Sequence, residues 1–175
     1  MSMTGEPPKH HSEVRGDLEP HVRAIGRLVV NFNALEHTVH RLAWTLLNAQ
    51  DDRPGQIVTD RLEASKLEEM VKALIHHSIK DQSLGDRVDA LLARMPAARS
   101  RRNEFVHSFV RIPNDSVDLS QARTTRRPTR SRQDYVQGPG VTEPTPIEQA
   151  AKEAFDLGVA FEELYADVRR LQGAV

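Results

Sequence analysis

No cysteine occurs among the 175 residues, which excludes a disulfide frame, a cysteine-ligated zinc and a thiol nucleophile together. Long hydrophobic runs are missing as well: nothing approaches the ~18 consecutive apolar residues that read as a membrane span. The stretch MSMTGEPPKHHSEVRGD lacks the apolar core of a secretory signal, so a cytoplasmic protein that makes no use of a membrane is expected. Aromatic residues are scarce at 5%, with Trp44 and both tyrosines scattered. That leaves no row of rings on which nucleobases could stack, and no strong sequence preference is expected for any nucleic-acid partner.

What is present is 38% hydrophobic residues and 28% charged, the composition of a Leu/Val/Ala-rich, mostly helical chain of a length that fits one domain with a real core. The net charge of −1 hides an uneven distribution. Between Arg99 and Arg132 stand nine arginines against Glu104, Asp115 and Asp118, a balance of +6, so the remainder carries −7. A basic patch for an anionic partner is the expectation, and Arg101, Arg123, Arg126, Arg127, Arg130 and Arg132 are its candidate residues.

Residues 1–16 hold little apolar material and read as a disordered tail. From residue 17 to residue 173 the chain reads as one domain. Leu18, Val22, Ile25, Val29, Phe32, Leu35, Val39, Leu42 and Leu46 step by three or four, the period of one long amphipathic helix, with Pro20 tolerable in its first turn. On its flank Asn33, Glu36, His37 and His40 form a polar cluster. EHTVH is not the HExxH zinc motif, because the glutamate precedes the first histidine, and no metal or cofactor is expected. Glu36 is instead expected to accept hydrogen bonds from an arginine of a neighbouring helix.

Asp51–Gly55 reads as a turn by composition. A second helix follows from about Thr59 or Asp60, burying Leu62, Leu67, Val71, Leu74 and Ile75 and closing at His76 and His77. Ser83 is the expected cap of a third helix with Leu84, Val88, Leu91, Leu92 and Met95 on its face, and Pro96 must kink it or start a new one. That next segment carries Ala98, Phe105 and Phe109 on one stripe. Arg102 shares the stripe, so it needs an acidic partner or a place at an interface.

A small irregular or β-hairpin insertion is expected over about 111–144, with strands at Val110–Ile112 and at Val117 and Leu119, a turn at 113–116, and a short strand at Tyr135 and Val136. Thr145-Pro146-Ile147-Glu148 fits a capping box. It opens a last helix with Ile147, Ala151, Phe155, Leu157, Phe161, Leu164, Val168 and Leu171 inward, ended by Gly173.

The chemistry concentrates at RRNEFVH, Arg101 to His107. In a helix Asn103 and His107 share a face, and Arg102 lies about 140° round from His107, an angle that a long guanidinium bridges. A permanent cation with a planar donor fork beside an imidazole is what metal-free cleavage of a phosphodiester requires: a base for the attacking 2′-hydroxyl and a cation at the developing charge.

The long first helix with its NFNALEH segment, the further helices, Arg102-Asn103-Glu104-Phe105-Val106-His107 and the closing helix together resemble the HEPN family. The resemblance implies an all-α, up-and-down helical bundle that forms a homodimer with its two motifs in one cleft. It implies a metal-independent endoribonuclease, often a toxin or phage-defence effector with a cognate antitoxin or regulator. Arg102 and His107 would be catalytic, with Asn103 and Glu36 assisting and RNA as substrate. Other HEPN proteins bind a nucleotide or a partner and cut nothing, so a non-catalytic binding module is the alternative. Ser108 departs from the Gly that often follows the histidine.

Overall fold

The computed structural model describes residues 19–48, 50–106, 109–111, 123–125 and 144–173. The tail expected at 1–16, His107, and most of the segment expected as an insertion lie outside them. Among the described residues six helices and two short strands follow in order: α1 (Glu19–Leu47), α2 (Arg53–Thr59), α3 (Ala64–Ser78), α4 (Gln82–Leu92), α5 (Met95–Val106), β1 (Phe109–Arg111), β2 (Arg123–Thr125) and α6 (Thr145–Gly173). The helices form an all-α bundle around one apolar core, and among the described residues no helix is long and apolar enough to cross a membrane.

The first and last helices, 29 residues each, form its spine. Asn31 Nδ2 donates to the carbonyl of Ala151 at 2.9 Å and Thr38 Oγ1 to Glu162 at 2.7 Å, so α1 and α6 lie side by side and run the same way. Farther along, Arg41 donates to Glu162 at 2.8 Å and stacks over Tyr165 with 4.2 Å to the ring centre. Leu35, Leu42, Phe161, Leu164 and Val168 are sealed between these helices and the rest.

Three positions depart from the expected apolar stripes. Val22 is 48% exposed, and His21 and Ala24 are buried in its place. In α6, Phe155 and Leu171 face outward while Ala150 and Ala154 are buried. The reason is close approach: the small side chains of Ala150, Ala151 and Ala154 let α6 lie tightly in the bundle, and this rotates the larger Phe155 to the outside.

Helix ends differ from expectation in ways with local causes. Asp51–Gly55 is not a free turn, because α2 begins at Arg53 with Pro54 in its first turn, where the missing N–H costs nothing. A Cβ at Gly55 would lie 2.6 Å from the Trp44 Cα, so only glycine lets α2 reach α1. Trp44 Nε1 then donates to Thr59 Oγ1 at 2.7 Å, pinning the end of α2. The α4 cap is Asp81, whose carboxylate accepts from the Ser83 N–H at 2.9 Å, and Ser83 is already inside the helix. Likewise α6 already includes Thr145, the residue expected as its cap, since the carbonyl of Pro144 accepts from the Ile147 and Glu148 N–H groups. Pro96 does start a new helix, as the second residue of α5.

Phe109, expected on the helical stripe, stands in β1 instead, because α5 ends at Val106. β1 pairs antiparallel with β2 in the register Phe109 to Thr125 and Arg111 to Arg123. The strand expected at 117–119 and the one expected at Tyr135 and Val136 lie outside the described residues.

Candidate functional site

Met95, Arg99, Arg102 and Phe105 follow one another at spacings of four, three and three, so they share one face of α5. Met95 and Phe105 are buried. The two arginines between them are thereby drawn half under the surface, toward Glu36 of α1 and Glu68 of α3, and each solves the problem differently. Arg99 Nη2 forms an ion pair with Glu68 Oε1, with only 24% of the arginine side chain and 13% of the glutamate side chain exposed. Arg102 Nη1 donates to Asn103 Oδ1 at 3.0 Å. Among the described residues Arg102 has no carboxylate within ion-pair distance, and its buried Nε has no acceptor.

Glu36 sits half-buried beside both arginines. Burial raises its carboxyl above the ordinary value, the charges of Arg99 and then Arg102 work against that rise, and Glu68 adds to it. No described residue hydrogen-bonds to Glu36, so the expected arginine donor acts on it through space only. Glu36, His40, Glu68, Met95 and Arg99 line a small pocket of about 20 Å³, room for a single water.

His37 and His40 of α1 are taken up by Trp44. Its ring meets His37 edge-on at 5.7 Å and His40 at 6.0 Å between centres. Burial, then the neighbouring His37, lowers the His40 value below that of a free imidazole. Among the described residues no group of three or more His, Asp or Glu side chains is placed to hold a metal ion.

The structure therefore brings Glu36, Arg102 and Asn103 together and adds Arg99 and Glu68, which the sequence reading did not single out. Arg99 had a legible signal, because it falls on the same apolar stripe that marks Arg102. Glu68 had none, since nothing local connects it to a helix 31 residues on. His107 lies just past the last residue of α5, outside the described residues. Of the basic candidates, Arg101 Nη1 is held by Glu153 of α6 at 2.6 Å on the surface. Arg123 belongs to β2, and Arg126, Arg127, Arg130 and Arg132 lie outside the described residues.

The Glu36 arrangement carries a pH signature. A carboxyl whose folded value is raised stabilises the fold below its ordinary range, and that stability is lost as pH rises through the folded value. Glu36→Gln removes the titration. Thermal midpoints taken from about pH 4 to about pH 7 should therefore show the variant gaining on the wild type as pH rises. Parallel profiles would mean that burial of this charge costs the fold nothing.

The sequence matches no family model, and neither a curated protein nor a solved structure matches it.

Proposed function

We propose that this chain is a HEPN-type, metal-independent endoribonuclease that acts as a homodimer, with Arg102, Asn103 and His107 at its centre. The observation that carries this reading is Arg102, a half-buried guanidinium with no carboxylate on it among the described residues. Removing an arginine from bulk water without an acidic partner costs free energy, and an external anion would recover it. Asn103 holds Nη1 and Nε is buried, which leaves the second terminal nitrogen for a phosphate oxygen. His107 follows within the next turn of chain. It takes the proton of the 2′-hydroxyl, the oxygen attacks the adjacent phosphorus, and Arg102 stabilises the charge that develops on the phosphoryl oxygens. The bond from phosphorus to the 5′-oxygen breaks and that oxygen takes up a proton, returned by the His107 imidazolium or supplied by water, so the products are a 2′,3′-cyclic phosphate and a free 5′-hydroxyl.

Arg123, Arg126, Arg127, Arg130 and Arg132 supply a basic run that holds RNA by its backbone, independent of sequence. Arg101 is less available, since Glu153 already neutralises it. A chain that cuts RNA without a metal harms its own cell unless held in check, so a cognate antitoxin or regulator belongs to this reading, as does a role in toxin or phage-defence systems.

The test is incubation of the full chain with mixed RNA in the presence of EDTA. Expected is cleavage that persists with chelator and leaves cyclic-phosphate ends. The same unpaired arginine would also serve a module that binds a nucleotide or a partner without cutting. No cleavage, together with nucleotide binding that disappears in Arg102→Ala, would establish that alternative.

A further inference from the structure

The outer side of the α1/α6 pair carries an apolar groove that the bundle leaves open. The bonds from Asn31 to Ala151 and from Thr38 to Glu162 fix the two helices at matching heights. At 3.6 residues per turn, Val30 and Ala34 then lie on the flank of α1 turned away from Glu36 and the core, and Phe155 and Val159 lie on the flank of α6 that borders the same groove. Val30 is 66% exposed, Phe155 56% and Val159 43%. Large apolar side chains gathered in one exposed strip mark a contact surface more often than scattered ones do.

The charges beside the strip differ in balance between the two helices. On α1 Arg23, Arg27 and Arg41 outnumber Glu19. On α6 Glu148, Asp156 and Glu163 outnumber Lys152, which Asp156 already holds. Arg23 and Arg41 are answered within the chain, by Glu19 and Glu162. Arg27, Glu148 and Glu163 are exposed and make no ion pair among the described residues.

We infer that this groove is a self-association surface, covered by a second copy of the chain about a twofold axis parallel to α1 and α6. Such an axis lays α1 of each copy on α6 of the other at the same height. Val30 and Ala34 then meet the partner's Phe155, and Arg27 meets the partner's Glu148. A basic flank on one helix and an acidic flank on its neighbour satisfy each other under this rotation, which is why the occupant is a second copy. An axis across the helices would instead set α1 against α1 and bring like charges together. The surface lies on the side of α1 opposite Glu36, so it is separate from the cleft of the proposed nuclease and does not rest on that reading.

Sedimentation of the full chain at tens of micromolar tests it. The wild type should run at least as a dimer. Arg27→Glu should weaken the association about tenfold or more and, at a suitable concentration, halve the mass. Arg27→Glu with Glu148→Arg should restore it, because the pair is re-formed with its signs exchanged. Phe155→Asp should halve the mass by an independent route, with circular dichroism unchanged in all variants. A monomeric wild type, a mass unaffected by both Arg27→Glu and Phe155→Asp, or a double exchange that fails to restore association would overturn the inference.

Discussion

His107→Ala is expected to lower RNA cleavage roughly 10²–10⁴-fold, the usual loss when a general base is removed, while leaving folding and RNA binding nearly intact. Folding should hold, because the side chains that α5 buries in the core are Met95 and Phe105. Arg102→Lys should also be severely impaired. An ammonium keeps the charge, but it cannot hold Asn103 with one arm of a planar fork and present the other arm to a phosphate. Single-turnover cleavage of a uniformly labelled RNA, beside a binding isotherm for each variant, separates the two effects. Undiminished cleavage by His107→Ala would end the mechanism and leave Arg102 as an anion-binding residue only.

The two long helices were legible because a three-four apolar step sustained over 29 residues has no competing interpretation. Which side chains they bury was less legible. A 3.6-residue period drifts against any fixed three-four count, and Phe155 shows the result: it fits the stripe in the sequence, yet alanines at 150, 151 and 154 make the actual contact. The short helix α2 was hidden for a different reason. Asp-Arg-Pro-Gly suits a turn and the first turn of a helix equally well, and the choice is made by Trp44, whose backbone leaves room at position 55 only for glycine. Asp81 and Ser83 are both good caps two residues apart, and only the register of α4 decides between them.

At the site, the sequence showed that Arg102 could not be an ordinary surface arginine, because it lies on the apolar face of its own helix. It showed two options, an acidic partner or an interface. Among the described residues no carboxylate forms an ion pair with Arg102: Glu36 acts on it through space only, and Glu68 is already bound by Arg99. The distinction depends on the packing of α3 against α5, which no spacing within α5 encodes. The same division of labour explains Glu36. It acts on both arginines through space, so its role is to set the potential in which they sit.

That division makes Arg99 the residue on which the cluster's stability turns. Arg99→Met should cost about 2–4 kcal/mol, because it leaves the mostly buried Glu68 without its partner and sets it against Glu36 with one fewer cation between them. Glu68→Met should cost less, since Arg99 would keep the field of Glu36. The double variant, with an apolar pair of similar volume in place of two charges, should be more stable than the sum of the single losses predicts. The deficit of Arg99→Met should also shrink at acid pH, where Glu36 takes up a proton and the repulsion between carboxylates fades. Urea denaturation of the four proteins closes the cycle, and losses that simply add, or a Glu68→Met variant weaker than Arg99→Met, would count against it. Cleavage should follow the same order for a separate reason. With Arg99 gone, Arg102 is the cation left to answer Glu36, and a guanidinium drawn onto a carboxylate of its own chain is no longer free to hold a phosphate.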